Sequence, residues 1–434
     1  MTAGPGISGA GGPPPRLRWV MWGIPTFLFL IAFGHRVAPG VIAKDLMEAF
    51  SATGAIVGLL SAAYFYPYAG LMVPAGLLVD AFGVRRVVAL GGAVMGLGTI
   101  LMGVTSAQAL LFAGRLAVGA GASVTFVGAL KIATTWFPPS HFATLSAVTA
   151  TMGVLGGLVA TAPLAVLVTA TGWRSALVLV GVVTVAGAAL CCAVVRDHPG
   201  GRAAVAPPGA SLREVLAGTA LVLGNPRTWP PVLAFFFLYA AASNLMLWVV
   251  PYMRDVYGLG TTDAALYATA ISLALLVSGP LTGYLSDRVL HRRKLPYTVL
   301  SAAQAALYVL LVLTLGRLPL AGVYGLFLAI GAVGGAFVLT WPIGREVNPP
   351  HLSGVAVAVV NMGGFLGAAL TQGPVGAVLD ARWAGVIVAG ARVYPPDAYR
   401  AAFLVCGLFV FASTVTTLFL RETRGRNIAD QPSG

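Results

Sequence analysis

One charged pattern occurs twice in this chain of 434 residues, and its two copies begin 207 positions apart. The first copy runs from Gly76 to Arg86 and the second from Gly283 to Arg293, and each reads G-x-L-x-D, four residues, then R-R. Both copies lie between long apolar runs. A charged motif that recurs at half the chain length predicts two structurally similar halves in one membrane, an architecture that is typical of secondary transporters.

The composition points to the same environment. Hydrophobic residues make up 58% of the chain and charged residues 9%, whereas a soluble domain carries about 25% charged residues. Apolar stretches of about 20 residues recur along the chain, and each is long enough to cross a bilayer. The net charge of +13 comes from basic residues in short loops, where they determine topology. We therefore expect a membrane protein without a nucleic-acid partner.

The apolar runs predict an all-α membrane protein with twelve transmembrane helices in two pseudo-symmetric six-helix bundles. The expected spans are 19–40, 53–75, 87–106, 109–135, 143–169, 175–195, 230–253, 262–285, 295–315, 320–345, 354–378 and 399–420. The expected domains are a disordered tail (1–18), an N-terminal bundle (19–195), a cytoplasmic linker (196–229), a C-terminal bundle (230–420) and a cytoplasmic tail (421–434). In the linker, Ser211 is expected to cap a short amphipathic helix.

The distribution of basic residues predicts the orientation. When both termini are placed in the cytoplasm, most of the 26 Lys and Arg residues fall on the cytoplasmic side. This bias predicts a multi-pass protein of the cytoplasmic membrane.

The repeated motif and its setting resemble the major facilitator superfamily, and the likeness covers essentially the whole chain. The fifth and eleventh helices also correspond, because Met152–Gly156 with Pro163 is similar to Gly364–Gly367 with Pro374. The resemblance implies that motif residues control an inner gate by pairing across the seam between the halves. These residues are Gly76, Asp80, Arg85, Arg86, Gly283, Asp287 and Arg292. Arg115 is similar to the fourth-helix arginine of that family. Because it lies 16 residues before Lys131, about 24 Å and about 160° around a straight helix, both cannot line one site, and Arg115 is expected to have a structural or coupling function.

Other stretches resemble the organic-anion and anion:cation symporter side of that superfamily. They are Tyr64–Tyr68, Leu130–Lys131 before Trp136–Pro139, Gly172–Arg174 and Arg345–Pro350. The glycine-proline pattern of drug/proton antiporters is absent from the fifth helix, since Pro163 lies six residues after Gly157. This absence disfavours a drug exporter.

Charged residues within the predicted spans are candidates for substrate recognition, because a charge at mid-membrane costs about 2.5–3.5 kcal/mol or more. Arg36 and Lys131 are expected to attract an anion, with Arg36 binding a carboxylate or phosphate bidentately. Two alternatives stay open, in which these side chains snorkel to the membrane surface or join ion pairs, Arg36 with Asp45 or Glu48. Arg345 and Glu346 are expected to form a gate or a salt bridge at the rim.

Uncharged residues complete the predicted site. Tyr64 and Tyr68 share one helical face, Asn244 and Trp248 share another, and Asn361 lies in the eleventh span. His35 is a candidate for proton coupling, because histidine changes charge near neutral pH; a packed, hydrogen-bonded histidine is the alternative. No phosphate-binding loop or metal-ligand spacing occurs in the sequence, so we expect no enzyme activity and no cofactor.

Together these features predict a carrier that moves a small organic anion, either a carboxylate or a phosphorylated metabolite, by alternating access. Uptake is the expected direction, while proton coupling, uniport and exchange all stay open. A drug or cation exporter, a carrier of zwitterions or short peptides, and a sensor without transport on the same fold remain alternatives. The expected partners are the anionic substrate and the lipid bilayer, and the protein is expected to be a monomer.

Overall fold

The computed structural model describes residues 15–199 and 212–429, and these residues are almost entirely helical. Within them, eleven helical segments are long and apolar enough to cross a membrane, and the pair Thr144–Val159 and Ala162–Thr171, bent by 40°, forms a twelfth. The prediction of an all-α membrane protein is therefore confirmed.

The first half provides six spans from ten helices. They are α1 (Pro15–Val41), α2 (Ala43–Phe50), α3 (Gly54–Ala63), α4 (Phe65–Phe82), α5 (Val84–Val104), α6 (Gln108–Ala122), α7 (Thr125–Trp136), α8 (Phe142–Val159), α9 (Ala162–Thr171) and α10 (Trp173–Val194). Helices α3 with α4, α6 with α7 and α8 with α9 each form one interrupted span, whereas α2 lies in the loop after α1.

A connecting helix, α11 (Leu212–Gly224), precedes the second half; Ser211, its predicted cap, lies outside the described residues. The second half contains α12 (Trp229–Tyr257), α13 (Thr261–Tyr284), α14 (Lys294–Thr314), α15 (Leu320–Val333), α16 (Thr340–Glu346), α17 (Ser353–Ala381) and α18 (Pro396–Leu418). A π-helical turn (Leu285–Leu290) extends α13, and 3-10 turns lie at Pro139–His141, Pro226–Thr228, Gly334–Leu339 and Pro350–Leu352. Before α18, β1 (Ile387–Val388) pairs antiparallel with β2 (Ala391–Arg392).

The repeated motifs lie largely on helices rather than in the loops that the sequence suggested. Helix α4 continues to Phe82, beyond the predicted end of the span at residue 75, because Leu77, Leu78 and Val79 prolong its apolar run. The chain turns only at Gly83, whose φ of +83° favours glycine. The second copy stays helical to Leu290 and ends at His291, with φ of +48°. We call the end of the bundle that carries both motifs the motif face, and the opposite end the far face.

The two halves pack closely where α3 of the first half meets α17 of the second. A Cβ atom on Gly58 would lie 2.1 Å from the carbonyl oxygen of Gln372, and one on Gly376 would lie 2.1 Å from that of Gly54. These glycines let the two backbones touch, as small residues do in membrane helices. The contact lies toward the far face and brings the halves together there.

Candidate functional site

An arginine surrounded by aromatic rings lies between the two halves. The guanidinium carbon of Arg36 lies 4.5 Å from the ring centre of Phe33, 4.6 Å from that of Tyr68, 4.7 Å from that of Phe365 and 5.9 Å from that of Tyr64. We call these four rings the aromatic cage. Because Phe365 belongs to α17 and the other rings to α1 and the α3–α4 span, both halves build the cage.

The charge of Arg36 is not neutralised by an acid. Within residues 15–199 and 212–429, no Asp or Glu forms a salt bridge with Arg36. Its Nε donates to the Tyr64 hydroxyl at 3.5 Å, and Tyr239 of α12 also lies beside the guanidinium. Cation–π contacts contribute about 0.5–2 kcal/mol each, but aromatic rings carry no net charge. The positive charge of the guanidinium is therefore not compensated by a negative charge in the described residues.

On the motif-face side of the cage, polar and aromatic groups continue along α17 and α16. The Asn361 side chain accepts a hydrogen bond from Trp341 Nε1 at 3.2 Å, and its Nδ2 lies 3.7 Å from the sulfur of Met72 in α4. Asn361 precedes Phe365 by one helical turn. Asn361, a predicted site residue, therefore lies next to the cage and contacts both halves.

His35 and Arg115 brace the helices behind the cage. Arg115 is 1% exposed and its Nη1 donates to the carbonyl oxygen of His35 at 2.8 Å. The His35 ring lies 3.3 Å from the Thr99 hydroxyl, and the Tyr64 hydroxyl donates to the carbonyl oxygen of Ala32 at 3.0 Å. The Arg115 guanidinium also lies 5.1 Å from the ring centre of Tyr64. Arg115 thus ties three spans together and supports one wall of the cage.

Asn244 and Trp248 are fully buried in α12. The Asn244 amide donates to the Ala240 carbonyl and to the Thr371 hydroxyl, both at 2.9 Å. Trp248 packs edge-on against Tyr394 at 6.4 Å, and its Nε1 has no hydrogen-bond partner among the described residues. The structure thus brings Tyr64 and Tyr68 to Arg36 and places Asn361 one helical turn from Phe365 of the cage, whereas the contacts of Trp248 lie toward the far face.

Lys131 lies at the motif face. Its Nζ forms a salt bridge with Asp80 at 2.7 Å, and the two side chains are 40% and 45% exposed. The structure therefore brings Lys131 to the first motif copy and not to the aromatic cage. In the same copy, the backbone N–H of Arg85 donates to Asp197 at 3.0 Å, while the Arg85 Nε donates to the Cys192 carbonyl.

We expect Lys131→Ala to change anion affinity by less than about fivefold, because an exposed ion pair contributes about 0–1 kcal/mol. Isothermal titration calorimetry of the purified variant, with an organic anion that binds the unmodified protein, measures this affinity. An affinity loss as large as that of an Arg36 variant would instead place Lys131 in the site.

The second motif copy forms a partly buried ion network with α16, in which Asp287 is 53% exposed. Arg293 pairs with Asp287 and, at 3.2 Å, with Glu346, which also accepts from the Thr423 hydroxyl. Arg345 is exposed, and the salt bridge of Glu346 in the described residues is with Arg293 rather than with Arg345. Arg292 contributes its backbone oxygen, which accepts from Ser286 at 2.7 Å. Sequence analysis named Arg292 rather than Arg293, because the R-R pair does not reveal which side chain turns inward.

At the far face, a buried ion pair joins the halves. Lys44 of α2 contacts Asp255 of α12 at 2.6 Å, with both side chains 5% exposed, and also donates to the carbonyl oxygen of Arg392. The Asp255 carboxylate accepts further from the Tyr394 N–H at 3.0 Å and the Tyr399 hydroxyl at 2.8 Å. Burial lowers the pKa of Lys44, and the Asp255 charge opposes this shift. The pair is therefore stable only while both partners stay together.

A second carboxylate closes the same face. Asp380, at the end of α17, accepts from the backbone N–H groups of Gly54 at 2.9 Å and Ala55 at 2.8 Å, where α3 begins. Arg392 and the Tyr394 hydroxyl hold this carboxylate at 3.1 and 2.6 Å. A carboxylate is favoured at a helix N-terminus. Sequence analysis did not single out Lys44, Asp255 or Asp380, because they lie near loops and their partners in the other half are more than 200 positions away.

Asp45, next to Lys44, is a partly buried acid at this face. Burial raises the pKa of its carboxyl group, whereas the nearby Arg254 lowers it and Glu48 raises it further. Oδ2 of Asp45 has no hydrogen-bond partner among the described residues. Protonation of Asp45 is therefore easier in this closed conformation than in water, and we expect closure of the far face to favour proton uptake.

We therefore expect acidification to favour the closed far face. The effect should appear at pH values above the usual pKa of a carboxyl group, because the raised pKa couples closure to proton uptake. A cysteine replacing Ala52, which is 3% exposed, should react more slowly with an impermeant thiol reagent at pH 5 than at pH 8. The reaction rate of this cysteine is divided by that of a cysteine replacing Ala384, which is exposed. The division removes the pH dependence of thiol reactivity itself. If Asp45→Asn preserves the normalised pH effect, another group is responsible.

Comparisons with known proteins agree with this architecture. The family model described as Major Facilitator Superfamily matches residues 26–372. The probable sulfoacetate transporter SauU of Cupriavidus necator is 26% identical over 286 residues, which cover 64% of this chain and 66% of that protein. The membrane sensor protein UhpC of Salmonella typhimurium is 24% identical over 391 residues, covering 84% of this chain and 85% of that one.

A solved structure shares the fold over nearly the whole length. A bacterial homolog of the human lysosomal transporter Spinster, in an inward-facing and unoccupied conformation, superposes with a TM-score of 0.77 at 17% identity. The match covers 97% of this chain and 99% of that one. The prediction of a transporter rather than an enzyme is confirmed, and the chain belongs to the Major Facilitator Superfamily.

Proposed function

We propose that the protein transports a small organic anion that binds to Arg36 inside the aromatic cage. The observation that carries this proposal is a partly buried arginine between the halves with no acidic partner in the described residues. A charge held in this way is costly in a membrane, and an anionic ligand offsets that cost. A carboxylate or sulfonate accepts two parallel hydrogen bonds from the guanidinium.

The relatives support an anionic substrate. SauU is named for sulfoacetate, which carries a sulfonate and a carboxylate. We expect the cage to suit a compact anion, because three ring centres lie 4.5–4.7 Å from the guanidinium carbon. Asn361 and Tyr239, which lie beside the cage, provide neutral groups for the rest of the ligand.

The transport cycle we propose alternates access to this site. The motif face lies in the cytoplasm, and the far face is the outside. The Lys44–Asp255 pair and the Asp380 contacts close the outer side in the present conformation. Opening this side requires those contacts to break while the halves rock about the site. At the inner side, Asp80 of the first motif copy pairs with Lys131, and Arg293 of the second copy pairs with Asp287 and Glu346; these pairs order that end of each half.

Proton coupling is assigned to Asp45 rather than to His35. Asp45 lies at the far face, where burial raises the pKa of its carboxyl group in the closed conformation, and we expect opening to water to remove this shift. His35 instead lies behind the cage, with its ring against Thr99 and its carbonyl oxygen bound by Arg115. We therefore assign His35 a packing function in the wall of the site.

A thermal-stability screen of the purified protein tests the substrate class, since a ligand that prefers the folded site raises the melting temperature by mass action. Sulfonates, mono- and dicarboxylates, sugar phosphates, zwitterionic peptides and lipophilic cations are compared at equal concentration. Stabilisation by one class of organic anion is the expected result. Stabilisation by cations or zwitterions alone would refute the proposal.

A further inference from the structure

The motif-face end of the second half contains a basic pocket next to the lipid-facing surface. A cavity of about 380 Å³ lies where α14 begins and α18 ends. Arg292, Lys294 and Arg424 provide its basic lining, and Leu295 and Leu418 its apolar lining. A neighbouring cavity of about 580 Å³ shares Arg424 with it. The segment that follows α18 thus completes a pocket between two spans.

The single acid in the lining of the first cavity does not neutralise these charges. The Glu422 carboxylate accepts from the backbone N–H groups of Arg293 at 2.7 Å, Lys294 at 3.1 Å and Arg424 at 3.1 Å. Its oxygens are therefore bound to the backbone at the start of α14. Three basic side chains and one carboxylate leave the pocket with a net positive charge.

The apolar lining locates the pocket at the membrane boundary. Leu295 is 44% exposed, Leu418 is 55% exposed and the adjacent Phe419 is 70% exposed. Exposed apolar side chains at the ends of membrane spans contact lipid tails, whereas Lys and Arg at the same level reach the headgroups. The hydroxyl of Thr298, also in the lining, is buried and has no hydrogen-bond partner among the described residues.

We propose that this pocket binds the headgroup of an anionic phospholipid. Arg292, Lys294 and Arg424 hold the phosphate, the Thr298 hydroxyl provides a further hydrogen bond, and the acyl chains lie along Leu295 and Leu418. Basic pockets between spans on the cytoplasmic side are suited to such headgroups. A free phosphate ion matches the charge but leaves the apolar part of the lining without a partner.

The lipid would stabilise the segment 420–428 on the bundle. This segment is tied to the second half, because the Ile428 N–H donates to the Glu346 carbonyl and Asn427 donates to the Asn348 carbonyl, both at 2.8 Å. Arg424, from the same segment, lines the pocket. A bound phosphate would therefore connect the segment to Arg292 and Lys294. This proposal goes beyond the carrier function and does not depend on it.

The test measures the melting temperature of the detergent-purified full chain during titration with dioleoylphosphatidylglycerol, dioleoylphosphatidylcholine or inorganic phosphate. We expect a saturable increase with phosphatidylglycerol alone. The double variant Arg292→Gln/Arg424→Gln should require about tenfold more phosphatidylglycerol for half of the increase. The control Arg86→Gln/Arg345→Gln removes two exposed arginines from the same face and should leave the titration unchanged.

Three outcomes would overturn the proposal. They are an equal response to phosphatidylcholine, an equal response to inorganic phosphate, and an unchanged titration in the Arg292→Gln/Arg424→Gln variant. Native mass spectrometry of retained lipid gives a second readout if that variant melts at a lower temperature. We expect one phosphatidylglycerol to remain on the original protein and on the control variant, and none on the double variant.

Discussion

Replacement of Arg36 by alanine should weaken binding of the anionic substrate by about 30-fold to several thousand-fold. Removal of one partner from a buried, hydrogen-bonded charge pair costs about 2–5 kcal/mol, and 1.4 kcal/mol corresponds to a factor of ten. Arg36→Lys should restore only part of the affinity, because an ammonium group cannot form two parallel hydrogen bonds in the plane of a carboxylate or sulfonate. Titration calorimetry with the stabilising anion measures both effects.

Arg174 is the matched control for Arg36. Its guanidinium also lies against aromatic rings, 4.4 Å from Trp173 and 5.7 Å from Phe50. Unlike Arg36, it donates to backbone carbonyl oxygens, those of Gly103 and Thr105. Arg174→Ala should therefore leave anion affinity unchanged. Equal losses in the two alanine variants would mean that arginine–aromatic packing, and not anion recognition, explains the effect.

Replacement of Asp255 by alanine should open the far face. The variant leaves Lys44 buried without its carboxylate, and breaking a buried ion pair in this way costs about 3–5 kcal/mol. The ratio of closed to open molecules should then fall by a factor of about 100 or more. Spin labels at exposed Ala49 and Ala384, one in each half, should show a longer distance in double electron–electron resonance measurements.

Two further variants show whether the pair itself is responsible. Asp397→Ala breaks an ion pair with Arg400 in the first turns of α18 at the far face, where the Asp397 and Arg400 side chains are 71% and 36% exposed, and should leave the distance distribution unchanged. Lys44→Met/Asp255→Leu removes both charges and should restore closure in part, because no buried charge is left unpaired, while the Tyr394 N–H and the Tyr399 hydroxyl lose their acceptor. An unchanged distribution in Asp255→Ala would show that other contacts hold the face closed.

Much of the fold is readable from periodic features of the sequence. The two motif copies predicted two similar halves, and the apolar runs predicted the spans, because bilayer thickness imposes a length on each helix. The ends of spans were less predictable. Apolar residues carried α4 to Phe82, and the backbone conformation at Gly83, rather than the charge of Asp80, ended it.

The candidate site was predictable only in part. Arg36 stood out because a charge in an apolar run needs an explanation, and Tyr64 and Tyr68 share its surroundings. Phe365 lies more than 300 positions away, and no local pattern connects it to Arg36. Lys131 is also a charged residue in an apolar run. It nevertheless forms a salt bridge with Asp80, because α4 and α7 both end at the motif face.

The contacts that close the far face could not be predicted from a single sequence. Lys44 and Asp380 lie next to loops, where charged residues are ordinary and have no periodicity. Their importance comes from partners in the other half, Asp255 for Lys44 and the N-terminus of α3 for Asp380. These contacts depend on how the halves dock.

Counterflow in proteoliposomes tests the central claim most directly. Vesicles loaded with an excess of the stabilising anion are diluted into buffer that contains a trace of the same labelled anion. We predict transient accumulation of the label that unlabelled anion abolishes, that lipophilic cations leave intact, and that is absent with Arg36→Ala. Binding of the anion without any counterflow would instead indicate a sensor, and counterflow that Arg36→Ala preserves would show that Arg36 is not the anion site.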